Sequence, residues 1–493
     1  MLAPWVVEEM QAADLKDKRL NDRLHVLLSA LGERPTASIP AACGGFKEMI
    51  AAYRFFDNEK VTCQRVLEPH AQRTLQRIGE QEVVLLVQDT TELDFTRPQV
   101  QATGAGSLGS ACRWGAFLHP LVAFTTDGTP LGTCWAKMWT REEEPAEETR
   151  REKEQRRKAT PIEDKESLRW VEGLRQARAV AQQAPAVQCV CIADSECDVY
   201  EVFSEPRGER PVEWLVRACQ DRALLKGAPG NEDHAGRQLR AAVEAQPVLF
   251  TKTITVRGRE TKVSCEQRGR RQPRKNRTAE VEVRCVKVTL RPPQRSGEER
   301  LPPVTVNVVQ AREVRPPEDD EPVEWLLLTT LPIDTMEQVR AILQYYAVRF
   351  LIEVLFRVLK SGCRVEERRF EHIDRMLPCA ALYLIVAWRT LMICRLGRSS
   401  PDLDCETIFD PAEWKSVWMV VKKNRPPRRA PTLAAILPMI AQLGGYVNRP
   451  HREDPPGPQT IWLGLQRMYD LALAWNTFGP GASAAKEDGD TCV

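Results

Sequence analysis

No C-x-x-C pair occurs among the fifteen cysteines of the chain, which removes the zinc signatures such pairs would announce. Cys189 and Cys191 alternate along a strand-like segment and read as packing residues, because free cysteine is among the most buried side chains. Reduced thiols point to a cytoplasmic setting. Neither sign of charge is in excess: 70 Lys and Arg against 68 Asp and Glu leave +2. The sum carries no nucleic-acid signal, and only the spread of basic residues can. Long apolar runs are missing as well. The longest, Met376 to Trp388, ends at Arg389, short of the roughly 20 residues that span a bilayer, and predicts a buried core helix. Met1 to Met10 carries Glu8 and Glu9 and lacks a basic-then-apolar leader pattern. No membrane partner is expected, and no internal repeat is evident.

What is present suffices for several cores: 493 residues, 43% of them hydrophobic, imply two to four domains. Texture divides the chain at 1–80, 81–220, 221–320, 321–398 and 399–493. The first segment reads as all-helical. Leu20, Leu24, Leu27, Leu28 and Leu31 recur at helical spacing, and Met49 to Phe56 repeats the signal. Arg19, Arg23 and His25 lie on or near the first of these helices, Lys47 and Arg54 on or near the second. Such charges can be solvated faces, and equally an all-helical basic module that binds DNA ahead of a catalytic core.

From 81 to 220 the pattern is α/β. Val83 to Val87 is a buried-type strand ending at Gln88-Asp89-Thr90. Phe117 to Phe124 and Pro130 to Trp139 are two more, with Asp127-Gly128 in their turn. An amphipathic helix follows from about Glu166 to Gln182; Val187 to Ile192 is a strand with Asp194 just beyond it, and Val212 to Cys219 is a fifth. Alternation in Thr251 to Val256, Glu280 to Val288 and Val304 to Val309 predicts antiparallel strands. The basic loop between the first two holds Arg271, Arg274 and Lys275; it reads as a phosphate grip or a solvated hairpin tip. Trp325 to Thr330 resumes a buried strand, followed by one long helix from about Met336 to Ser361 and another from about Met376 to Cys394. The last segment is mostly helical and holds a basic, proline-interrupted stretch from Lys422 to Arg429.

Asp89 and Asp194 each close a hydrophobic strand, and the carboxyl ends of strands in open α/β sheets are where sites form. A third acid lies on the helix from Met336. With Tyr346 as origin and about 100° per residue, Arg349 falls near 300°, Glu353 near 340° and Lys360 near 320°. Four functional side chains thus share a narrow stripe on a helix otherwise rich in Phe, Leu, Ile and Val. Taken alone, this is either an intrahelical ion-pair ladder or a metal-binding acid flanked by phosphate-holding neighbours.

The run Y-x2-R-x3-E-x6-K resembles the signature of the insertion-sequence-four family of bacterial DDE transposases. Asp89-Thr90-Thr91-Glu92-Leu93 and Asp194-Ser195-Glu196-Cys197-Asp198 are similar to that family's two aspartate segments. Ala52-Tyr53-Arg54-Phe55, Leu443-Gly444-Gly445-Tyr446 and Trp462-Leu463-Gly464 resemble segments of its terminal domains. The resemblance implies an α/β fold: an RNase H-like core with an inserted β-rich domain, an all-helical N-terminal DNA-binding domain and a helical C-terminal dimerisation domain. It implies a cut-and-paste transposase whose partners are duplex DNA, both transposon ends and target, and a second copy of the chain.

Asp89, Asp194 and Glu353 are then the catalytic acids, expected to hold two Mg²⁺ ions about 3.5–4 Å apart, with Mn²⁺ able to substitute. Asp89 would bridge them. Tyr346, Arg349 and Lys360 would position the DNA backbone near the cut, with Arg19, Arg23, Arg54, Arg271, Arg274 and Lys275 as further DNA contacts. Ser195 departs from the family, which often carries Arg there. His119 is left open between a DNA-facing and a structural role. The competing expectations are an RNase H-like nuclease without strand transfer and a non-catalytic or domesticated DNA-binding relative.

Overall fold

The leucine spacing at the N-terminus builds the helices it predicts. The computed structural model describes residues 2–109, 112–141, 149, 156, 160–208, 211–228, 231, 238–256, 258, 275–293, 301–318, 322–447 and 455–479. Its first helices are α1 (Pro4–Glu9), α2 (Lys18–Glu33), α3 (Ile39–Cys43), α4 (Phe46–Phe56) and α5 (Cys63–Gly79). Next come β1 (Val83–Gln88), β2 (Thr91–Asp94), β3 (Gly106–Ser107), β4 (Trp114–Phe124), β5 (Pro130–Trp139), α6 (Leu168–Gln183), β6 (Gln188–Ala193), α7 (Tyr200–Ser204) and β7 (Glu213–Arg217). The chain continues through α8 (Leu239–Glu244), β8 (Phe250–Val256), β9 (Arg277–Leu290), β10 (Val304–Glu313), β11 (Glu324–Thr329), α9 (Met336–Val348) and α10 (Phe350–Arg357). It closes with α11 (Ile373–Ser399), α12 (Pro411–Lys422), α13 (Leu433–Leu443) and α14 (Pro458–Phe478).

Contacts divide the chain into two units: Met1–Val84, Asp89–Pro145 and Phe350–Val493 form the first, Leu85–Gln88 and Ala146–Arg349 the second. In the first, β2, β3 and β5 all pair antiparallel with β4. Asp17, Ser38 and Thr62 cap α2, α3 and α5 by accepting first-turn N–H groups, which satisfies donors a helix start leaves unpaired. Leu24, Leu27, Leu28 and Leu31 are buried. Helix α11 is long and apolar enough to cross a bilayer, yet 83% of that stretch is buried inside the protein, as expected for a helix apolar on all sides. At the end of α11, Trp414, Phe409, Ile436, Ile440 and Met468 form one cluster with it. Gly464 permits that packing: a Cβ there would stand 1.9 Å from the Ile440 carbonyl oxygen.

In the second unit β6 and β7 are parallel, and β11 pairs antiparallel with β7. Strands β10, β9 and β8 follow from β11, each antiparallel to the last, so the β-rich segment continues a sheet. Cys189 and Cys191 are buried, and the Gln88 amide donates to the Trp170 carbonyl and to Cys191 Sγ.

The single helix expected from about Met336 to Ser361 is corrected by the structure. It stops at Val348, resumes at Phe350 and ends in a π turn over Val358–Gly362. The Arg349 N–H reaches back three residues to Tyr346 at 3.2 Å, and the Cys363 N–H reaches back five to Val358 at 2.8 Å. The second, wider spacing accompanies Gly362 packed on Trp462, whose ring lies 3.1 Å from where a Cβ would be. Lys360 sits inside this π turn, so the 100° reckoning does not hold for it.

Candidate active site

Asp89 follows β1 and is 9% exposed. Its Oδ1 accepts the Thr90 N–H at 2.7 Å, and Thr90 Oγ1 lies 2.9 Å from His119 Nδ1. His119 is fully buried on β4 and meets the Trp135 ring edge-on, so the structure favours its structural role. The loop end that carries Asp89 is thereby fastened to the middle of a strand.

Glu353 lies in the first turn of α10. Ile352, Val354, Leu355 and Phe356 are buried while Glu353 and Arg357 are exposed, so the helix presents its acid from an apolar base. Beyond it, Lys360 Nζ pairs with Glu366 Oε1 at 3.7 Å, and the same oxygen accepts the Asp94 N–H of β2 at 2.9 Å. Arg113 sits between the two β2 acids, donating to Glu92 at 2.7 Å and Asp94 at 2.9 Å. Burial pushes the Asp94 carboxyl up, but hydrogen bonds from Thr96 and Arg113 outweigh it and hold it below its ordinary value. Glu366 was not anticipated. In sequence it is one acid of a Glu366-Glu367 pair, and only the fold shows which of the two turns inward.

In the second unit Asp194 follows β6 and caps its own short turn, accepting the Glu196 N–H at 2.8 Å. That turn is locked by Asp198. Its fully buried side chain accepts the Cys219 and Gln220 N–H groups at 2.8 Å each, and both Arg222 Nε at 2.9 Å and Nη2 at 2.6 Å. Arg222 also stacks over Phe203 and Tyr200. A carboxylate so fully bonded is an anchor, whereas in the same turn Asp194 is half-exposed and Glu196 is exposed and paired with Arg169 Nη2 at 3.0 Å. Tyr346 is buried, its ring 5.1 Å from Trp325 of β11 in an edge-on contact. Arg349 occupies the break between α9 and α10.

Asp89, Glu353 and Lys360 therefore belong to the first unit, and Asp194, Tyr346 and Arg349 to the second. Among the described residues no three His, Cys, Asp or Glu side chains stand close enough together to hold a metal ion. The donor chemistry, carboxylate oxygen throughout, is the kind that Mg²⁺ and Mn²⁺ take. Of the remaining DNA candidates, Arg19 is exposed with its guanidinium 3.7 Å from Asp17. Arg23 is half-buried, and Arg54 and Lys275 are exposed. Arg271 and Arg274 lie outside the described residues.

Two family models match the chain. One described as Transposase DNA-binding covers residues 3–61, the span of α1 to α4 with Arg19, Arg23 and Arg54. The other, described as Transposase Tn5 dimerisation domain, covers residues 385–478, the end of α11 through α14. Among solved structures the chain is similar to a piggyBac transposase synaptic complex with hairpin DNA, at 8% identity and a TM-score of 0.32. That likeness covers 86% of this chain, which spans 60% of the other. These two matches, one to a transposase DNA-binding model and one to a Tn5 dimerisation model, together cover less than half of the chain.

Proposed function

We propose that the chain is a cut-and-paste DNA transposase of the insertion-sequence-four type, acting in the cytoplasm as a homodimer on transposon ends and target DNA. The observation that carries this is the pair of family matches at 3–61 and 385–478, flanking a stretch with an acid at the end of β1, another at the end of β6, and Glu353 on a helix. An RNase H-like core accords with β1, β6 and β7 being successive neighbours in the second unit's sheet.

In this reading Asp89, Asp194 and Glu353 would each offer a carboxylate to divalent metal, Mg²⁺ or Mn²⁺, which when bound would supply activation of an oxygen nucleophile and stabilisation of the leaving oxygen in phosphodiester cleavage. The chain's own cations orient the substrate. Arg349 can fork onto a phosphate, and Lys360 acts as a point charge whose direction Glu366 sets. Asp198 fixes the turn that presents Asp194, while Thr90 and His119 fix the one that presents Asp89. Nicking at the transposon end, a hairpin intermediate and strand transfer complete the proposed sequence.

The test is incubation of the purified chain with its element's end DNA and Mg²⁺, scoring nicks, hairpins and joined strands. Hairpins and joined strands are expected. Cleavage without joining would instead indicate a nuclease, and binding without cleavage in Mg²⁺ or Mn²⁺ a non-catalytic DNA-binding relative.

A further inference from the structure

Between Glu413 and Glu453 the chain has not one Asp or Glu, and within that interval Lys422, Lys423, Arg425, Arg428 and Arg429 crowd into eight residues. The loop joins α12 to α13, and all five side chains are exposed. Among the described residues none of the five makes an ion pair. Exposed arginines elsewhere in the fold do: Arg175 with Glu205, Arg312 with Glu244.

The loop is also held at both stems. Lys423 takes a left-handed conformation, φ +56°, with its N–H on the Met419 carbonyl at 3.0 Å. The Trp418 indole N–H donates to Asn424 Oδ1 at 2.8 Å. On the far side Thr432 bridges Asp404 antiparallel, with Cys405 N–H on Pro431 O at 2.9 Å and Leu433 N–H on Leu403 O at 2.8 Å. Pro426 and Pro427 restrict the span between. Five like charges held together by a fixed loop repel one another, and a polyanion relieves that repulsion by displacing its own counterions.

We propose that the 422–429 loop is a second, sequence-independent DNA contact that grips the phosphate backbone of duplex DNA. It is separate from the 3–61 segment and from the three acids, and rests on the reading that this chain handles DNA. Duplex DNA is favoured over a lipid surface because the loop itself carries no apolar side chain other than its two prolines to enter a bilayer. Its charge instead runs from the last residue of α12 through the loop, five cations in eight residues that can meet successive phosphates.

The experiment measures binding of the full chain to a labelled random-sequence duplex across a salt series. The comparison is a variant with Lys422→Gln, Lys423→Gln, Arg425→Gln, Arg428→Gln and Arg429→Gln combined. If two to four phosphate contacts are lost, the slope of log affinity against log salt becomes shallower by about 2 to 4, and affinity at 0.15 M salt falls roughly thirtyfold or more. In the unmodified chain, DNA should also protect Lys422 and Lys423 from an amine-reactive label. An unchanged slope and affinity in a folded variant, or equal labelling with and without DNA, overturns the loop proposal alone. If the variant does not fold, the labelling result decides. Binding to vesicles containing anionic lipid that depends on these residues, with DNA binding intact, overturns it in favour of a membrane. Failure of the unmodified chain to bind any duplex sinks the wider reading instead.

Discussion

Glu366 accepts the backbone N–H of Asp94 at 2.9 Å, and through the same oxygen it faces Lys360 at 3.7 Å. One carboxylate thus ties the strand that follows Asp89 to the π turn that follows Glu353. Glu366→Ala should lower strand cleavage by about tenfold to a hundredfold, since small misplacements of positioning groups have effects of that order. Thermal stability should move little, because the Lys360–Glu366 pair is partly exposed and such pairs contribute about 1 kcal/mol or less. Glu366→Gln, which still accepts the Asp94 N–H, should recover part of the rate. Full activity in the alanine variant would remove Glu366 from the site.

A buried network joins α1, α5 and β5. His70 is fully buried, with Nδ1 2.5 Å from Glu9 and Nε2 accepting the Thr133 N–H at 2.8 Å. Arg77 forks onto Glu9 at 2.9 Å twice. Because Nε2 accepts, His70 is neutral, and burial keeps its pKa below the ordinary value of 6.5. Burial pushes Glu9 up, yet the hydrogen bond from His70 Nδ1–H and the paired Arg77 guanidinium outweigh it and hold Glu9 below its ordinary value of 4.5. Both folded-state values are depressed, so both groups bind protons more readily when unfolded. Their stabilisation is complete above pH 6.5 for His70 and above pH 4.5 for Glu9, and is lost as pH falls below those values. Glu9→Ala should therefore cost about 3 kcal/mol at neutral pH, with the difference in urea midpoint from the unmodified chain shrinking from pH 7 to pH 4. A difference that grows on acidification would contradict this.

Glu413 has the opposite sign. Burial raises its carboxyl from 4.5 to about 7, so the folded chain keeps a proton the unfolded chain releases. Stability from this group is intact below pH 4.5 and is lost as pH rises toward 7. Glu413 also accepts the Asp410 N–H at 2.8 Å, a capping role that glutamine can fill. Glu413→Gln should stabilise the chain at pH 8 by about 1–3 kcal/mol, with the gain vanishing at pH 4.5. A gain of equal size at both pH values would point to packing instead of titration.

Gly444 and Gly464 let α13 and α14 approach. A Cβ at Gly464 would lie 1.9 Å from the Ile440 carbonyl oxygen, and one at Gly444 would lie 2.0 Å from that of Thr460. Backbone cannot yield as a side-chain tip can, so Gly464→Ala should cost about 2 kcal/mol or more. The check is a denaturant melt, with Gly457→Ala, where a Cβ meets nothing within 4 Å, as the control. Equal stability of the two variants would be the contrary result.

Much of this was legible in the sequence because its signals are local. Leucine spacing places α2, uninterrupted Val and Leu runs place β1, and Asp89 and Asp194 stand where the strands end. Strand β2 was not legible. Its four residues include Glu92 and Asp94, acids that disfavour a strand until Arg113 balances them and β4 supplies the ladder. The π turn was hidden for a different reason: Gly362 packs on Trp462, a contact about one hundred residues away in the chain that no helical wheel contains. Glu366 is concealed by a still longer separation, since Asp94 lies 272 residues before it. The tail glycines stand out in the sequence only as a pattern, and their cause is the approach of the Thr460 and Ile440 carbonyls.

The most direct test places Asp89→Ala, Asp194→Ala and Glu353→Ala beside the unmodified chain, with end DNA and Mg²⁺ or Mn²⁺. Strand cleavage and a band shift are read on the same samples. The account predicts that each substitution abolishes cleavage in either metal while the band shift persists. Cleavage retained by any one of the three would contradict the assignment of that acid. Cleavage retained by all three would place the chemistry elsewhere in the chain.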